Sequence, residues 1–407
     1  MHDHDGPLAR LRRGHEELVL GLLRRHGPLS RGQLGQRAGL SRTTLSDIVA
    51  ELVASGAVVA SAKDPGPRRR GRPVELLTLN PQAGQAIGID FARRAVHVAA
   101  ANVAHEVIGS ASAAHAADLP WPDRIDLADS LVGTLAGGAL RLSALGTVGA
   151  IGVGVVGPVG HLTSAPPGDA QGREELLAKR FGGPVLLDNN TRLAALAEST
   201  WGAAAGRRNV LYLRLSHGVG GGLVVGGALH RGTDGLSGEL GHITVDPAGA
   251  RCECGGTGCL ETVASIGAVL RAYRAAGGRA ADIAELHSAA DAGDRTAHDV
   301  LHTVGGHVGA VLAAVCNAVG PGVIVIGGEV ADRGTALLTA VEQALDARVL
   351  PIARDRVTLR RAELGDVGGA LGGIALVLHE SPLLAGYPAR PDRTDSGPAD
   401  PDPQEDA

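Results

Sequence analysis

Aromatic residues are scarce in this chain of 407 residues, which contains two Trp, three Tyr and two Phe. This scarcity argues against a site built on stacked rings and predicts cores of Leu, Val, Ile and Ala, for which the apolar content of 44% is ample. Four Cys are too few for a disulfide framework. No apolar run reaches the about 18 residues that a membrane span requires. The polar N-terminus also lacks the apolar core of a signal peptide. These absences predict a soluble, cytoplasmic protein with no membrane partner.

Charge is unevenly distributed along the chain. Residues 1–80 contain 13 basic and 8 acidic side chains, a net charge of +5, whereas the remaining 327 contain 25 and 35, a net charge of −10. A basic N-terminal segment on an acidic body indicates a module that binds nucleic acid. The alternative is that an excess of five charges has no functional meaning.

The N-terminal segment shows the pattern of a winged helix-turn-helix. An apolar stripe predicts a helix over residues 15–25, and the pair Ser30 and Gln33 has the spacing of a capping box that opens a second helix. Ser41 can N-cap a third helix, whose apolar residues follow i, i+3, i+4, i+7 spacing. Two short strands around an arginine-rich loop complete the pattern, at residues 57–60 and 76–79.

The third helix of such a module enters the major groove of operator DNA. Four residues near its N-terminus lie off the apolar stripe and are predicted to contact bases or phosphates: Arg42, Thr43, Thr44 and Ser46. In the loop between the strands, the run from Arg70 to Pro73 resembles the R-G-R-P core of AT-hooks. Arg70 and Arg72 are therefore predicted to enter an A·T-rich minor groove. The alternative is a solubilising arginine loop on a three-helix protein-binding module.

From residue 84 onward, the order strand, strand, strand, helix, strand appears twice, beginning near residues 86 and 210. This repetition predicts an α/β body of two related lobes with a cleft between them. After residue 381 the chain is rich in Pro and Asp and is predicted to be disordered. The predicted domains are the winged helix at 1–80, a first lobe at 84–200, a second lobe at 201–380 and a tail at 381–407.

A candidate metal site occupies one short segment. Cys252, Cys254 and Cys259 supply three thiolates within eight positions, and His242 lies ten residues upstream. Three Cys and one His form the closed tetrahedral set that is typical of structural Zn²⁺. The alternative is three reduced cysteines in a glycine-rich loop. Cys316 stands in an apolar helical stretch and is predicted to be a core residue.

The same segment, residues 238–261, resembles the signature of the ROK family of bacterial sugar kinases and sugar-responsive transcriptional regulators. The family pattern is E-x-G-H followed by C-x-C-G-x-x-G-C-x-E. The matching residues are Glu239, Gly241, His242, Cys252, Cys254, Gly255, Gly258, Cys259 and Glu261. The resemblance extends over about residues 84–380 and implies an actin-like body of the sugar kinase and ribonuclease H type. The winged helix in front resembles the regulator branch.

The resemblance also implies a sugar-binding site. In the family, the residues at the positions of Glu239, His242 and Glu261 hydrogen-bond sugar hydroxyls. Asn189 matches a sugar-contacting Asn, and Asn190 can still hydrogen-bond a hydroxyl. The alternatives are surface salt bridges for the two Glu and helix capping for the two Asn, and the capping role is compatible with ligand binding.

Two family motifs that carry kinase chemistry are altered. Asn190 stands where the kinases have the Asp that acts as general base, and an amide cannot take up a proton near neutral pH. The first phosphate motif, D-x-G-G-T, keeps Asp90 but is otherwise replaced by residues 91–94, which contain no glycine. The second phosphate loop, residues 216–222, keeps its glycines, with His217 in place of the usual Thr.

The sequence therefore predicts a kinase-inactive transcriptional regulator. We expect it to repress transcription and to release the operator when the ligand binds. Its partners are operator DNA and a sugar or sugar phosphate. Two-fold operators need two winged helices, which predicts a homodimer or homotetramer. The alternative is an active ATP-dependent sugar kinase with a fused DNA-binding arm.

Overall fold

The computed structural model describes residues 15–16, 18–23, 26–54, 57–61, 75–80, 85–102, 106–135, 151–157, 159, 169–181 and 185–380. Arg70 and Arg72, and the tail that the sequence predicts to be disordered, lie outside the described residues. Within those ranges, the chain forms a small helical module with its own sheet and a body that contains two five-stranded sheets.

Three helices pack on a three-stranded antiparallel sheet in the N-terminal module. The sheet order is β1-β3-β2, and the core consists largely of Leu and Val side chains. This arrangement confirms the winged helix-turn-helix predicted from the sequence. The elements are α1 (residues 18–23), β1 (Leu29–Ser30), α2 (Arg31–Ala38), α3 (Arg42–Ala54), β2 (Val58–Ser61) and β3 (Leu76–Leu79).

Side-chain caps define where α2 and α3 begin. The backbone N–H of Ser30 donates to Oε1 of Gln33 at 2.9 Å, and the N–H of Gln33 donates to Oγ of Ser30 at 3.3 Å. This reciprocal pair is the predicted capping box. At the start of α3, the N–H of Thr44 donates to Oγ of Ser41 at 3.2 Å. The turn between the two helices is therefore set by local hydrogen bonds.

The first sheet of the body has the strand order β6-β5-β4-β7-β8. β5 is antiparallel to both β4 and β6, whereas β7 and β8 extend the sheet parallel to β4. The elements are β4 (Gln85–Phe91), β5 (Ala95–Asn102), β6 (Val107–Ala114), α4 (Trp121–Thr134), β7 (Ile151–Val155), α5 (Asp169–Phe181), β8 (Val185–Asn189) and α6 (Asn190–Thr200).

The second sheet repeats this topology in the order β11-β10-β9-β12-β13, with the same parallel and antiparallel pairs. Its strands are β9 (Val210–Leu215), β10 (Val219–Val225), β11 (Ala228–Leu229), β12 (Val323–Gly327) and β13 (Thr358–Arg361). Its helices are α7 (Glu261–Ala264), α8 (Ile266–Ala275), α9 (Ile283–Asp291), α10 (Arg295–Val319), α11 (Ala336–Arg348) and α12 (Pro351–Arg354), followed by α13 (Gly368–Glu380). The two-lobed α/β body predicted from the repeated strand order is confirmed, as is the actin-like fold that the resemblance implies.

The helices α6 and α13 connect the two sheets. α6 packs on β9, β10 and α13, and α13 packs on β4, β5 and β7. The approach of α13 to β7 is close enough that a Cβ on Gly152 would lie 1.9 Å from the carbonyl oxygen of Gly373. Glycine is required at such a contact because any side chain would collide with the backbone. This packing fixes the N-terminus of α6, and with it Asn189 and Asn190, at the opening between the sheets.

Among the described residues, α10 is the one helix that is long and apolar enough to cross a membrane by length and composition. Half of its apolar window is buried inside the protein, where it packs on α11. A helix that crosses the core of a globular lobe meets the same criteria.

Candidate functional site

A cavity of about 360 Å³ lies between the two sheets. Its walls come from the segments after β4 and β7, the N-terminus of α6, the turn between β9 and β10, and the region from residue 239 to 261. The structure brings all five predicted sugar ligands to this cavity: Asn189, Asn190, Glu239, His242 and Glu261. They are up to 72 residues apart in the sequence, so only the fold places them together.

The two Asn side chains have different partners. Oδ1 of Asn189 accepts from the N–H groups of Thr191 and Arg192 at 2.9 and 3.1 Å, and its Nδ2 donates to the carbonyl of Gly157 at 2.8 Å. Asn189 is therefore the N-cap of α6, as one interpretation of the sequence proposed, and one Nδ2 hydrogen is left for a ligand. Nδ2 of Asn190 donates to Oδ1 of Asp90 at 3.0 Å.

The two Glu side chains have different surroundings in the cavity. Oε2 of Glu261 accepts from the N–H of Val219 at 2.9 Å, which leaves Oε1 for another donor. Burial raises the pKa of Glu239, while the positive charge of Arg192 and the nearby His242 lower it. Among the ion pairs of the described residues, none includes Glu239 or Glu261. This arrangement favours the cavity role over the salt-bridge alternative.

The end of the cavity that corresponds to the kinase phosphate site is lined by charged side chains. Ala92, Arg93 and Arg94 line it where the kinase motif has Gly, Gly and Thr. Arg214 also lines it, and its guanidinium donates to Oδ1 of Asp366 at 3.0 Å. Asp90 is fully buried behind this region, and burial raises its pKa to about 6. The backbone cradle that a nucleotide phosphate requires is therefore incomplete on the β4 side.

His242, Cys252, Cys254 and Cys259 converge, with all four potential ligand atoms within 4.8 Å of one another. Sγ of Cys254 lies 3.7 Å from Sγ of Cys259, and Sγ of Cys252 lies 3.6 Å from Nδ1 of His242. Thiolates at the vertices of a tetrahedral Zn²⁺ site are about 3.8 Å apart, given a Zn–S distance of about 2.3 Å. These residues therefore have the separation and the chemistry to hold a metal ion.

The loop that carries the three cysteines is folded tightly on itself. Gly258 has φ of 64°, and a Cβ there would lie 1.5 Å from the carbonyl oxygen of Asp246. The backbone N–H of Leu260 donates to the carbonyl of Ile243 at 2.9 Å, which joins the two ends of the loop. Because Nδ1 of His242 faces Cys252, Nε2 is the nitrogen that remains for a ligand in the cavity.

The predicted DNA contacts belong to the winged helix and not to the cavity. Arg42, Thr43 and Ser46 are exposed on α3, and Thr44 is half-buried. The hydroxyls of Thr43 and Thr44 lie 3.0 and 2.8 Å from Oγ of Ser41. The exposed edge of α3 thus presents one cation and a set of hydroxyls.

Sequence reasoning missed a buried charge cluster beside the cavity. Arg192 and Asp188 are each 1% exposed, and Nε of Arg192 donates to Oδ1 of Asp188 at 2.7 Å. Nε of Arg231 donates to Oδ2 of the same carboxylate at 2.6 Å. The available signal was an arginine at a position of α6 where the family motif has Asn.

Comparison with known families gives two matches. The ROK family matches residues 113–380, and the MarR family matches residues 17–70. The first covers the body from the end of β6 onward, and the second covers most of the winged helix.

Several transcriptional regulators are similar to this chain over nearly its whole length. The chain is 26% identical to the DNA-binding transcriptional repressor Mlc of Escherichia coli, over 91% of the chain and 94% of the repressor. The crystal structure of a ROK family transcriptional regulator homologous to that protein superposes with a TM-score of 0.75 at 26% identity, covering 92% of this chain and 97% of that one. A glucokinase of Halalkalibacterium halodurans is 40% identical, but over 48% of the chain and 63% of the enzyme, less than two thirds of it.

Proposed function

The chain belongs to the ROK family, and we propose that it is a transcriptional repressor whose affinity for operator DNA is lowered by a sugar or sugar phosphate. The observation that carries this proposal is the combination of a winged helix with a ROK body that keeps the sugar residues but not the kinase residues. Regulators match the chain over about nine tenths of its length, whereas the glucokinase matches about half.

DNA binding is assigned to the winged helix, with α3 as the recognition helix in the major groove. Arg42 supplies the cation for a base or phosphate, and the hydroxyls of Thr43, Thr44 and Ser46 supply further donors. Arg70 and Arg72 remain predictions for the adjacent minor groove. A two-fold operator would be bound by a homodimer or homotetramer in the cytoplasm.

The sugar is assigned to the cavity between the sheets. Carboxylates suit a polyol because each can accept from two neighbouring hydroxyls, which Glu239 and Glu261 would do in the cavity. Asn189 and Asn190 at the N-terminus of α6 offer amide groups. The imidazole of His242 donates from Nε2. A ligand bound among these five side chains would connect elements of both lobes.

The metal is assigned as Zn²⁺, held by His242, Cys252, Cys254 and Cys259. When bound, it would act structurally, since four protein ligands leave no open coordination position. This chain's own contribution is to fix the ring of His242 so that Nε2 faces the cavity. The metal loop and the sugar site would thus be coupled through His242.

Kinase activity is proposed to be absent for two independent reasons. Asn190 replaces the general base, and its Nδ2 is a donor to Asp90, so it offers nothing that could take a proton from a sugar hydroxyl. The segment from Ala92 to Arg94 replaces the two glycines and the Thr that would approach nucleotide phosphates. The match to a glucokinase then reflects shared sugar recognition and fold.

The test is fluorescence anisotropy with DNA selected from a random pool by the full chain. Titrations are repeated in the presence of D-glucose, D-xylose, N-acetyl-D-glucosamine and their phosphates. We expect one of these to weaken DNA binding by about 5–150-fold, the usual range of such coupling. If none of these sugars or sugar phosphates changes the affinity for DNA, the sensor role is contradicted. Absence of DNA binding by the full chain would contradict the regulator role.

A further inference from the structure

One carboxylate holds two guanidinium groups at the rim of the cavity. Oδ1 of Asp188, at the end of β8, accepts from Arg192 on α6 at 2.7 Å, and Oδ2 accepts from Arg231 at 2.6 Å. Asp188 and Arg192 are each 1% exposed, whereas Arg231 is 38% exposed. Arg231 follows β11 and therefore comes from the second lobe. This ion cluster thus joins the two walls of the cleft.

The guanidinium of Arg192 extends the connection to further segments. Its NH2 group donates to the carbonyl of Val159 at 3.0 Å, in the segment after β7. Its NH1 group donates to the carbonyl of Gly235, and lies 3.5 Å from that of Ser237, both in the segment after β11. A planar group with donors in fixed directions can hold three segments in one geometry, which a point charge cannot.

The segment held in this way leads directly into the sugar site. Glu239 follows Ser237 by two residues, and Arg192 is near enough to lower the pKa of its carboxyl. On the opposite wall, Asn189 and Asn190 precede Arg192 on the first turn of α6. Residues 230–239 contain no strand or helix. Their position is therefore set by these side-chain contacts together with backbone hydrogen bonds from His230 to Leu223 and from Ser237 to Arg231. The other end of the segment that bears Glu239 is fixed separately, because His242 lies beside the three cysteines of the candidate metal site.

We propose that Asp188, Arg192 and Arg231 form a clasp across the cleft that fixes the segment bearing Glu239 before a ligand arrives, and thereby sets the affinity for sugar. This inference rests on the proposed function for the identity of the ligand. The clasp residues are positioning residues because they act through Glu239. A buried ion pair usually stabilises a fold no more than apolar side chains of similar volume would. The role that we assign to these charges is therefore to fix geometry and not to add stability. Preorganisation raises affinity because the ligand need not order the segment itself.

The first arm of the test needs no ligand. Arg192→Lys keeps the charge but removes the fork, and Arg180→Lys is the matched control because Arg180 pairs with Asp126 and Asp129 on the outer surface. Hydrogen exchange is measured on peptides that cover residues 230–239 of the full chain. We expect exchange at least tenfold faster in Arg192→Lys than in the wild type and in the control, with unchanged metal content. Equal exchange in all three proteins would overturn the clasp.

The second arm uses calorimetry with D-glucose, D-xylose, N-acetyl-D-glucosamine and their phosphates. For the compound that the wild type binds, we expect Arg192→Lys to weaken affinity at least tenfold, and saturating ligand to return the exchange of residues 230–239 to the wild-type rate. Unchanged affinity would overturn the proposal.

The two arms separate the clasp from the proposed function. If the wild type binds none of these compounds, the sensor role fails while the exchange measurement still decides whether the clasp exists. If Arg192→Lys does not fold, the partly exposed Arg231→Lys replaces it with the same expected outcomes.

Discussion

The amide of Asn190 donates from Nδ2 to Oδ1 of Asp90 at 3.0 Å. Asn190 replaces the catalytic Asp of the kinases, and Asp90 is the Asp retained from their first phosphate motif, so these two positions are hydrogen-bonded to each other. Asp90 is fully buried, and its Oδ2 has no hydrogen-bond partner among the described residues. That oxygen faces α13, where a Cβ on Gly369 would lie 2.2 Å from it. The two residues that would serve catalysis and phosphate binding in a kinase form an internal pair here.

This pair predicts a pH dependence of stability. Burial raises the pKa of Asp90 from 3.8 to about 6, so the folded state takes up a proton before the unfolded state as the pH falls. The ionised carboxylate thus destabilises the fold above pH 6, by at most about 3 kcal/mol, and this cost disappears between pH 6 and pH 4. The wild type should therefore gain stability relative to Asp90→Asn as the pH is lowered through that window.

The measurement is the difference in free energy of unfolding between wild type and Asp90→Asn from pH 8 to pH 4. Burial lowers the pKa of His97, which acts in the opposite direction but equally in both proteins, so it cancels in the difference. Asp126→Asn, at an exposed ion pair, is the control. A difference that does not change with pH would show that Asp90 does not titrate in this range.

Replacement of one metal-coordinating side chain should abolish both metal binding and the response to sugar. Cys254→Ser replaces one of the three thiolates, and the remaining three ligands cannot close a tetrahedral site. Elemental analysis should give about one Zn²⁺ per wild-type chain and far less for the variant. Cys316→Ala, at a buried cysteine in α10, controls for thiol loss. Wild-type protein without zinc but with an intact sugar response would refute the assignment.

Restoring the acidic residue should not restore a kinase. Asn190→Asp returns a carboxylate to the position of the general base, but a base alone does not create a site for the nucleotide. The phosphate segment at residues 91–94 still lacks the glycines of the kinase motif. A coupled assay of ADP release with D-glucose should detect no turnover in the wild type or the variant. A ROK glucokinase measured in parallel is the positive control, and sugar-dependent turnover in the wild type would contradict the regulator assignment.

The recognition helix can be tested at its one exposed cation. Arg42→Ala should weaken operator binding by about 1–3 kcal/mol if the side chain reads a base. If Arg42 contacts a phosphate instead, the slope of log K against log salt should fall by about one. The matched control is Arg180→Ala on α5. Operator binding that is unchanged by the loss of residues 1–80 would place DNA recognition elsewhere.

Ligand sensing should separate from DNA binding at Glu261. In Glu261→Gln, the amide oxygen can still accept from the N–H of Val219, but the second acceptor for sugar hydroxyls becomes a donor. We expect operator affinity as in the wild type and sugar affinity at least tenfold lower, about 1.4 kcal/mol. Glu285→Gln is the control because Glu285 likewise accepts from a backbone N–H.

Titration calorimetry with and without operator completes this test. Linkage requires that operator change the sugar affinity of the wild type by the same factor as sugar changes operator affinity. Equal sugar affinities in the two titrations would show that the cavity is not coupled to the winged helix.

Local sequence signals determined much of this protein. The capping box at Ser30 and Gln33, the metal ligands within one short loop, and the substitution of Asn190 for a base are all short-range patterns whose chemistry does not depend on distant residues. The repeated strand order also indicated two lobes, but the fifth strand of each sheet, β8 and β13, was not predicted. Both are short strands whose place in the sheet is set by pairing with a distant partner, β7 or β12.

Only the tertiary structure decided what the charged residues do. Asp188, Arg192 and Arg231 form one cluster because β8, α6 and the segment after β11 meet across the cleft, and no spacing in the sequence records that meeting. Likewise, Asp90 and Asn190 are 100 residues apart and become partners because β4 and α6 are both packed on α13. The sequence does not show whether a charged residue will be buried. Its partners and its desolvation fix its pKa and its role, and both arise only when distant elements pack together.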